Sequence, residues 1–307
     1  MPLAAFVINP ALVRDPGRFE RRCRAAAEAG GFEPLFARTS TARDGFLLAR
    51  RAVAAGARLV FAAGGDGTVR ACAQALAGTG IPLAIVPLGT ANLTARALGV
   101  PARPWRAIEA GFAGRDRRID LACAEAGRSD GTCAEEADGA GMWFAAMAGI
   151  GLDAAVVAAT GDPAKRRLGW LAYAAAGAAH LSRPPSDFTV RLDGARPLRR
   201  RARCVVAGNA GLLPGGFLLL PDAVLDDGML DVGVLAPSGP LGWPRVAGRV
   251  LTRSRRTDGH LERFRARRVE ISAAADLPRQ VDGEVIAPGR TLVVSVRPAA
   301  LTVRRPG

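Results

Sequence analysis

Four strand-like runs, AAFVIN, EPLFAR, ARLVFAA and PLAIVPL, alternate with segments of helical spacing at the start of this chain. The intervening helices are Pro16 to Ala29, Asp44 to Ala55, TVRACAQALA and ANLTARALG. Most of the runs carry no alternating polar face, so both sides of the sheet they form must be covered. Strand and helix in strict alternation predict a parallel sheet between two helical layers. Ligands of such sheets gather at the carboxyl ends of the strands, and the functional residues are sought there.

The pattern changes after Asp120. Residues 124–140, AEAGRSDGTCAEEADGA, are polar and glycine-rich, as a hairpin tip would be. Strand-like runs then dominate: FTVRLDG, ARCVVAGN, MLDVGVL, RRVEISA and TLVVSVRP, with helices expected near Lys165–Leu181 and Gly239–Arg253. The expectation is two domains. Residues 1–120 form a Rossmann-like parallel α/β domain, onto which a C-terminal segment of about 298–307 packs back. Residues 121–297 form an antiparallel β-sandwich.

Composition closes off several function classes. The five cysteines, Cys23, Cys72, Cys123, Cys133 and Cys204, are odd in number and lack a CxxC pair. A reducing cytoplasm fits them better than a disulfide framework. With only His180 and His260, neither a zinc site nor a serine-type triad is expected. MPLAAFVINP has no basic n-region and does not read as a signal peptide. Gly141–Thr160 carries a single charge, yet its GIGLD centre reads as strand, turn and helix start, not as a membrane span. The net charge of +14 attracts anions, phosphoryl ligands and acidic lipid headgroups among them. Aromatic residues make up only 5%, so no stacking platform for nucleic acid is expected.

The third strand runs into GGDGT, Gly64 to Thr68. Glycines there let backbone amides approach a ligand closely, and Thr68 is expected to cap the next helix, whose N-terminus favours anions. An ordinary βα turn explains glycines alone. Asp66 adds a carboxylate that would repel phosphate unless it binds a metal or takes a proton. Lys165 is the only lysine, so no P-loop lysine is available here. A second loop, PLGTAN, follows the fourth strand and adds Gly89, Thr90 and Asn92 at the same sheet edge.

GGDGT followed by PLGTAN and ALGVP closely resembles the diacylglycerol kinase catalytic domain. The likeness continues through GIGLDA, KRRLGWLAYAAAG, GNAGLLPGGFLLLPDAVLDDGMLDV and QVDGE, in order, from Asn9 to about Val303. The chain looks like the bacterial soluble lipid kinases of the diacylglycerol and sphingosine kinase superfamily, whose N-terminal fold is similar to that of NAD kinase. The resemblance implies ATP-dependent phosphorylation of a lipid hydroxyl, with the nucleotide between the two domains. It implies that Asn9, Thr39, Gly64, Gly65, Asp66, Gly67, Thr68, Val69, Arg70, Gly89, Thr90 and Asn92 bind ATP. Asp227, with the carbonyls of Val224 and Met229, would hold Mg2+. Asp282 or Glu284 would act as the general base, with Asp66 a rival. Read without the resemblance, Asp282-Gly283 is a hairpin turn, and Asp226-Asp227-Gly228 a turn before a strand.

The chain departs from the family pattern at three places. After Asn9-Pro10 it has ALVRD instead of a small Ser/Gly-rich loop, with Arg14 as a substitute phosphate contact; Arg70 stands where Asn is usual, and Leu93 where an acid is common. Pro240 to Arg256, PLGWPRVAGRVLTRSRR, suits an interfacial amphipathic helix on anionic phospholipid, and equally a helix covering the β domain. The expectation is a cytoplasmic, peripherally membrane-associated lipid kinase, with a homodimer left open. NAD kinase chemistry and a catalytically weak nucleotide-binding protein are the rival readings.

Overall fold

The computed structural model describes residues 1–40, 42–126, 141–151, 184–212, 218–238 and 242–306. They divide into two compact units, Met1–Asp120 with Ala299–Gly307, and Leu121–Pro298. The expected hairpin tip beyond residue 126 and the expected helix near Lys165–Leu181 lie outside the described residues.

In the first unit, strands β1 (Leu3–Ile8), β2 (Glu33–Arg38), β3 (Ala57–Gly64) and β4 (Leu83–Pro87) pair in parallel in the order β2-β1-β3-β4. Helices α1 (Pro16–Ala29), α2 (Ala42–Ala54), α3 (Asp66–Leu76), α4 (Leu93–Ala97) and α5 (Pro104–Ala113) accompany them. Helix α1 buries Phe19, Cys23 and Ala27, a stripe at four-residue spacing. It begins where Asp15 accepts a hydrogen bond from the Arg18 amide at 2.9 Å and Pro16 fills the first helical turn. Phe6 of β1 stacks on Phe61 of β3 at 4.5 Å between ring centroids, and Phe112 of α5 closes on Phe61 at 4.8 Å. The end of the chain belongs to this unit: Val303 pairs in parallel with Leu83, and the Ala299 amide donates to Asp120 at 2.7 Å.

The second unit is antiparallel. Its strands are β5 (Arg115–Glu125, which begins in the first unit), β6 (Met142–Phe144), β7 (Met147–Gly151), β8 (Ser186–Leu192), β9 (Leu198–Ala202), β10 (Cys204–Gly208), β11 (Leu230–Leu235), β12 (Leu261–Ala266), β13 (Arg268–Val281) and β14 (Glu284–Arg305, whose last residues join the first unit). Strand β13 serves two layers. Residues 279–281 pair with β7 and residues 269–273 with β8, with the register broken between Ser272 and Leu277. Ile150, Val205 and Val232 from one part meet Phe188, Val190 and Ile271 from the other in one buried core. This is the sandwich that the alternating runs predict.

Three consecutive arginines mask strand β9 in the sequence pattern. Arg200 turns inward and binds Glu262 through two hydrogen bonds of 2.7 and 3.0 Å, while Arg199 and Arg201 are exposed. Helix α6 (Gly242–Leu251) lies on the β layers, with Val246 buried and Val250 packed on the cluster of Met147, Val206 and Leu261. Its apolar stripe is therefore spent on the protein core, which favours the covering reading of that segment. No helix among the described residues is long and apolar enough to cross a membrane.

Candidate functional site

Strand register assembles the loop cluster of the first unit. Ile8 pairs with Arg38 and with Ala63, and Gly64 pairs with Pro87, so the loops after all four parallel strands start at one level. Hydrogen bonds continue the row: Asn9 N to Ala63 O at 2.9 Å, Thr39 N to Ile8 O at 2.8 Å, and Leu88 N to Gly64 O at 2.9 Å. Asn9, Thr39, Gly64–Thr68 and Gly89–Asn92 thus share the carboxyl edge of the sheet, as the βα pattern predicts.

The glycines of this edge have different reasons to be glycine. A Cβ on Gly64 would collide with the Thr68 side chain. A Cβ on Gly89 would stand 2.6 Å from the Gly65 Cα, so the two loops meet backbone to backbone. Gly67 is different: a Cβ there meets nothing within 4 Å. No contact among the described residues demands glycine at 67, whereas a ligand lying against the loop would.

The carboxylate of Asp66 reaches the second loop, where Oδ1 accepts the Leu93 amide at 2.7 Å. Leu93 opens α4, whose N-cap Asn92 sits in the left-handed region (φ 47°) and makes no capping bond of its own. Asn92 instead closes its own turn, accepting from Gly89 N at 3.0 Å and donating to Gly89 O at 2.6 Å. Asp66 therefore caps a helix from a distant loop, a link invisible in the sequence pattern.

Several expectations change in detail. Thr68 does not cap α3: the N-cap is Gly65, which has no side chain to offer, and Thr68 is buried beneath Gly64. Val69 is buried too, and its amide donates to Gly65 O at 3.1 Å within the helix. Arg70 is likewise a buried helix residue, while Thr90 is exposed and Arg14 stands in solvent. Thr39 is buried at the end of β2.

In the second unit, Asp282 and Gly283 form a two-residue hairpin between β13 and β14 with φ of 47° and 78°, and Val281 pairs with Glu284. That is the Asp-Gly turn geometry expected of this dipeptide. The Asp282 side chain turns inward and is buried. Its carboxylate accepts amide hydrogen bonds from Ala145 (3.1 Å), Ala146 (3.1 Å) and Met147 (2.8 Å), in the turn between β6 and β7. Glu284, the first residue of β14, is exposed. Buried Arg279 braces the same hairpin, donating to the carbonyls of Ala287 (2.9 Å) and Thr291 (2.6 Å).

The expected cation site is built differently. Asp227 Oδ1 accepts the Met229 amide at 3.0 Å, and Oδ2 is held by the Arg265 guanidinium. Arg265 also faces Asp231 at 3.8 Å, directly across the β11–β12 ladder. Burial pushes the Asp231 carboxyl up to about 6, against the pull of Arg265 and with the repulsion of Asp227 and Asp222. Val224 is exposed and Met229 half-buried. A cation at Asp227 would have to displace a guanidinium already in place, and the described residues contain no cluster of three His, Cys, Asp or Glu side chains that could hold a metal. The Asp227 carboxylate as arranged, held by Arg265 and the Met229 amide, does not fit a bound Mg2+.

Residues 4–124 match the model of the diacylglycerol kinase catalytic domain, and residues 146–305 match the YegS C-terminal NAD kinase beta sandwich-like domain. A Pseudomonas fluorescens protein named "Probable lipid kinase YegS-like" is 34% identical over 289 residues, covering 92% of this chain and 90% of its own. Solved Bacillus anthracis structures described as diacylglycerol kinases share the fold, with a TM-score of 0.78 at 22% identity, covering 99% of this chain and 96% of theirs in the first case. An Archaeoglobus fulgidus NAD kinase solved in complex with ATP shares it more distantly, with a TM-score of 0.52 at 12% identity, covering 99% of this chain and 94% of its own. The chain belongs to the diacylglycerol kinase catalytic-domain family, in the form that continues into a YegS-type β-sandwich domain.

Proposed function

We propose that the chain is an ATP-dependent lipid kinase that moves the γ-phosphoryl group to the hydroxyl of diacylglycerol or a related lipid alcohol. The observation that carries this reading is the pair of glycine loops at one register level, with Gly67 open toward solvent and α3 starting without a side-chain cap. Amides at a helix start, facing an uncluttered glycine, suit a polyphosphate. Family membership and the lipid kinase names of its relatives support the acceptor class. The ATP-complexed NAD kinase of like fold supports the nucleotide.

In this reading the nucleotide arrives as its magnesium complex, and the loop from Gly64 to Thr68 cradles its phosphates. Asn9 and Thr39 border the loop, and Asp66 keeps the second loop, Gly89 to Asn92, against it. Asp282 accepts the proton of the lipid hydroxyl as its oxygen forms the new bond to phosphorus and the bridging bond to ADP breaks. Its three amide donors orient the carboxylate. Exposed Glu284 is the runner-up for the base. The acceptor lies at a membrane surface, so we assign the protein to the cytoplasmic face of a membrane, where arginine-rich surfaces meet anionic phospholipid.

The test is transfer of γ-phosphate from labelled ATP with magnesium to diacylglycerol, sphingoid base and phosphatidylglycerol in mixed micelles, with NAD in parallel. Label in a lipid is expected. Label in NAD alone would overturn the reading, and ATP binding without transfer to any acceptor would favour a binding protein.

A further inference from the structure

We propose that Leu12 is a water-excluding wall of the phosphate site, a role that rests on the nucleotide-binding reading above. Pro10 to Leu12 fold as a single 3-10 turn. Asn9 Oδ1 accepts the Ala11 amide at 3.1 Å, and Val13 N donates to Pro10 O at 3.1 Å, so the turn is fastened at both ends. It leaves Leu12 40% exposed. An exposed leucine by itself means little.

Its neighbour gives it meaning. The Leu12 Cδ1 lies 3.8 Å from the place a Cβ on Gly65 would occupy, and Gly65 is the N-cap of α3. The Gly89 Cα lies 3.5 Å from that same position, so leucine and glycine backbone close on the same side of Gly65. The loop is therefore walled at Gly65 by the Gly89 backbone and an isobutyl group together, and open at Gly67. A Ser/Gly-rich turn would offer hydroxyls to a phosphate, whereas leucine offers none. What an apolar wall contributes is exclusion of water, which strengthens the attraction between fixed amides and phosphate charge. The recognised chemistry is the polyphosphate chain, not the base.

Calorimetric titration of magnesium ATP and of magnesium tripolyphosphate into the full-length protein tests this. Leu12→Ser should weaken both probes by about tenfold. Leu12→Met should restore wild-type affinity, and Leu47→Ala, which trims another exposed leucine on α2, should change neither. Loss confined to ATP would make Leu12 a base platform and overturn the proposal. So would unchanged affinity for both probes, or wild-type protein that binds ATP but not tripolyphosphate. Wild-type protein that binds neither probe would overturn the nucleotide reading and this inference with it.

Discussion

The glycine loops of the first unit and the Asp282 hairpin of the second are built on opposite plans. In the first, backbone is brought to the ligand: strand register aligns four loops, and glycines at 64, 65 and 89 let them close on one another. In the second, backbone is brought to a side chain: three amides converge on one buried carboxylate. On the proposed reading, the first plan holds an anion that comes and goes. The second fixes an anion that stays. Removing a side chain should therefore hurt the second site most, and adding a methyl group should hurt the first.

The largest effect is expected at Asp282. Asp282→Ala should lower turnover by about 10²–10⁴-fold, the usual reach of general base catalysis. It should also lower the melting temperature, because three buried amides lose their acceptor at a cost of about 1–3 kcal/mol for each one left unsatisfied. Asp282→Asn keeps an acceptor oxygen and should be the more stable of the two while equally inactive. Turnover assays with thermal melts decide this, and an active Asn variant would move the base to Glu284.

Gly89→Ala comes next. Its methyl group would meet the Gly65 Cα at 2.6 Å, so the loops must part. Overpacking of this kind costs about 1–3 kcal/mol, and ATP affinity should fall with it, as read by titration and melting. Asp66→Ala should cost about 1 kcal/mol through the lost cap on α4 and weaken ATP binding. If stability holds while binding vanishes, Asp66 acts on the ligand and not through Leu93.

Smaller effects test the second unit's charges. Chelation by EDTA should leave the melting temperature unchanged, because Arg265 occupies the Asp227 carboxylate. A drop restored by magnesium would return the cation to that site. Arg265→Met should cost at most about 1 kcal/mol, as expected for a half-exposed pair. Least of all should happen at Cys23 and Cys72: burial pushes both thiols up to about 12, so iodoacetamide at neutral pH should leave them unmodified in the folded protein.

The parallel half of the fold was legible because apolar runs and helical spacing are local signals, and α1 begins and ends where its Asp-Pro start and apolar stripe predict. Helix α3 starts two residues before the expected Thr68, since Gly65 caps it through backbone conformation alone. The long strands β13 and β14 were read only in part. Polar and charged residues such as Arg279 are buried in them by carbonyl contacts that no periodicity reveals. The candidate residues of each unit divide in the same way. Loop glycines announce themselves, but the Asp66–Leu93 cap, the amides on Asp282 and the Arg265–Asp227 pair join residues far apart in the chain, and they appear only once the strands are in register.

Titration of magnesium ATP into wild type and Gly67→Ala, with a thermal melt of each, tests most directly that the glycine loop is a backbone-built phosphate site. A Cβ at 67 has no protein neighbour within 4 Å. The melting temperature should therefore hold or rise, because alanine suits a helix better than glycine, while affinity falls about tenfold or more. Equal affinity in the two proteins would contradict the account, because a loop glycine that no contact among the described residues requires would not be needed by the ligand either.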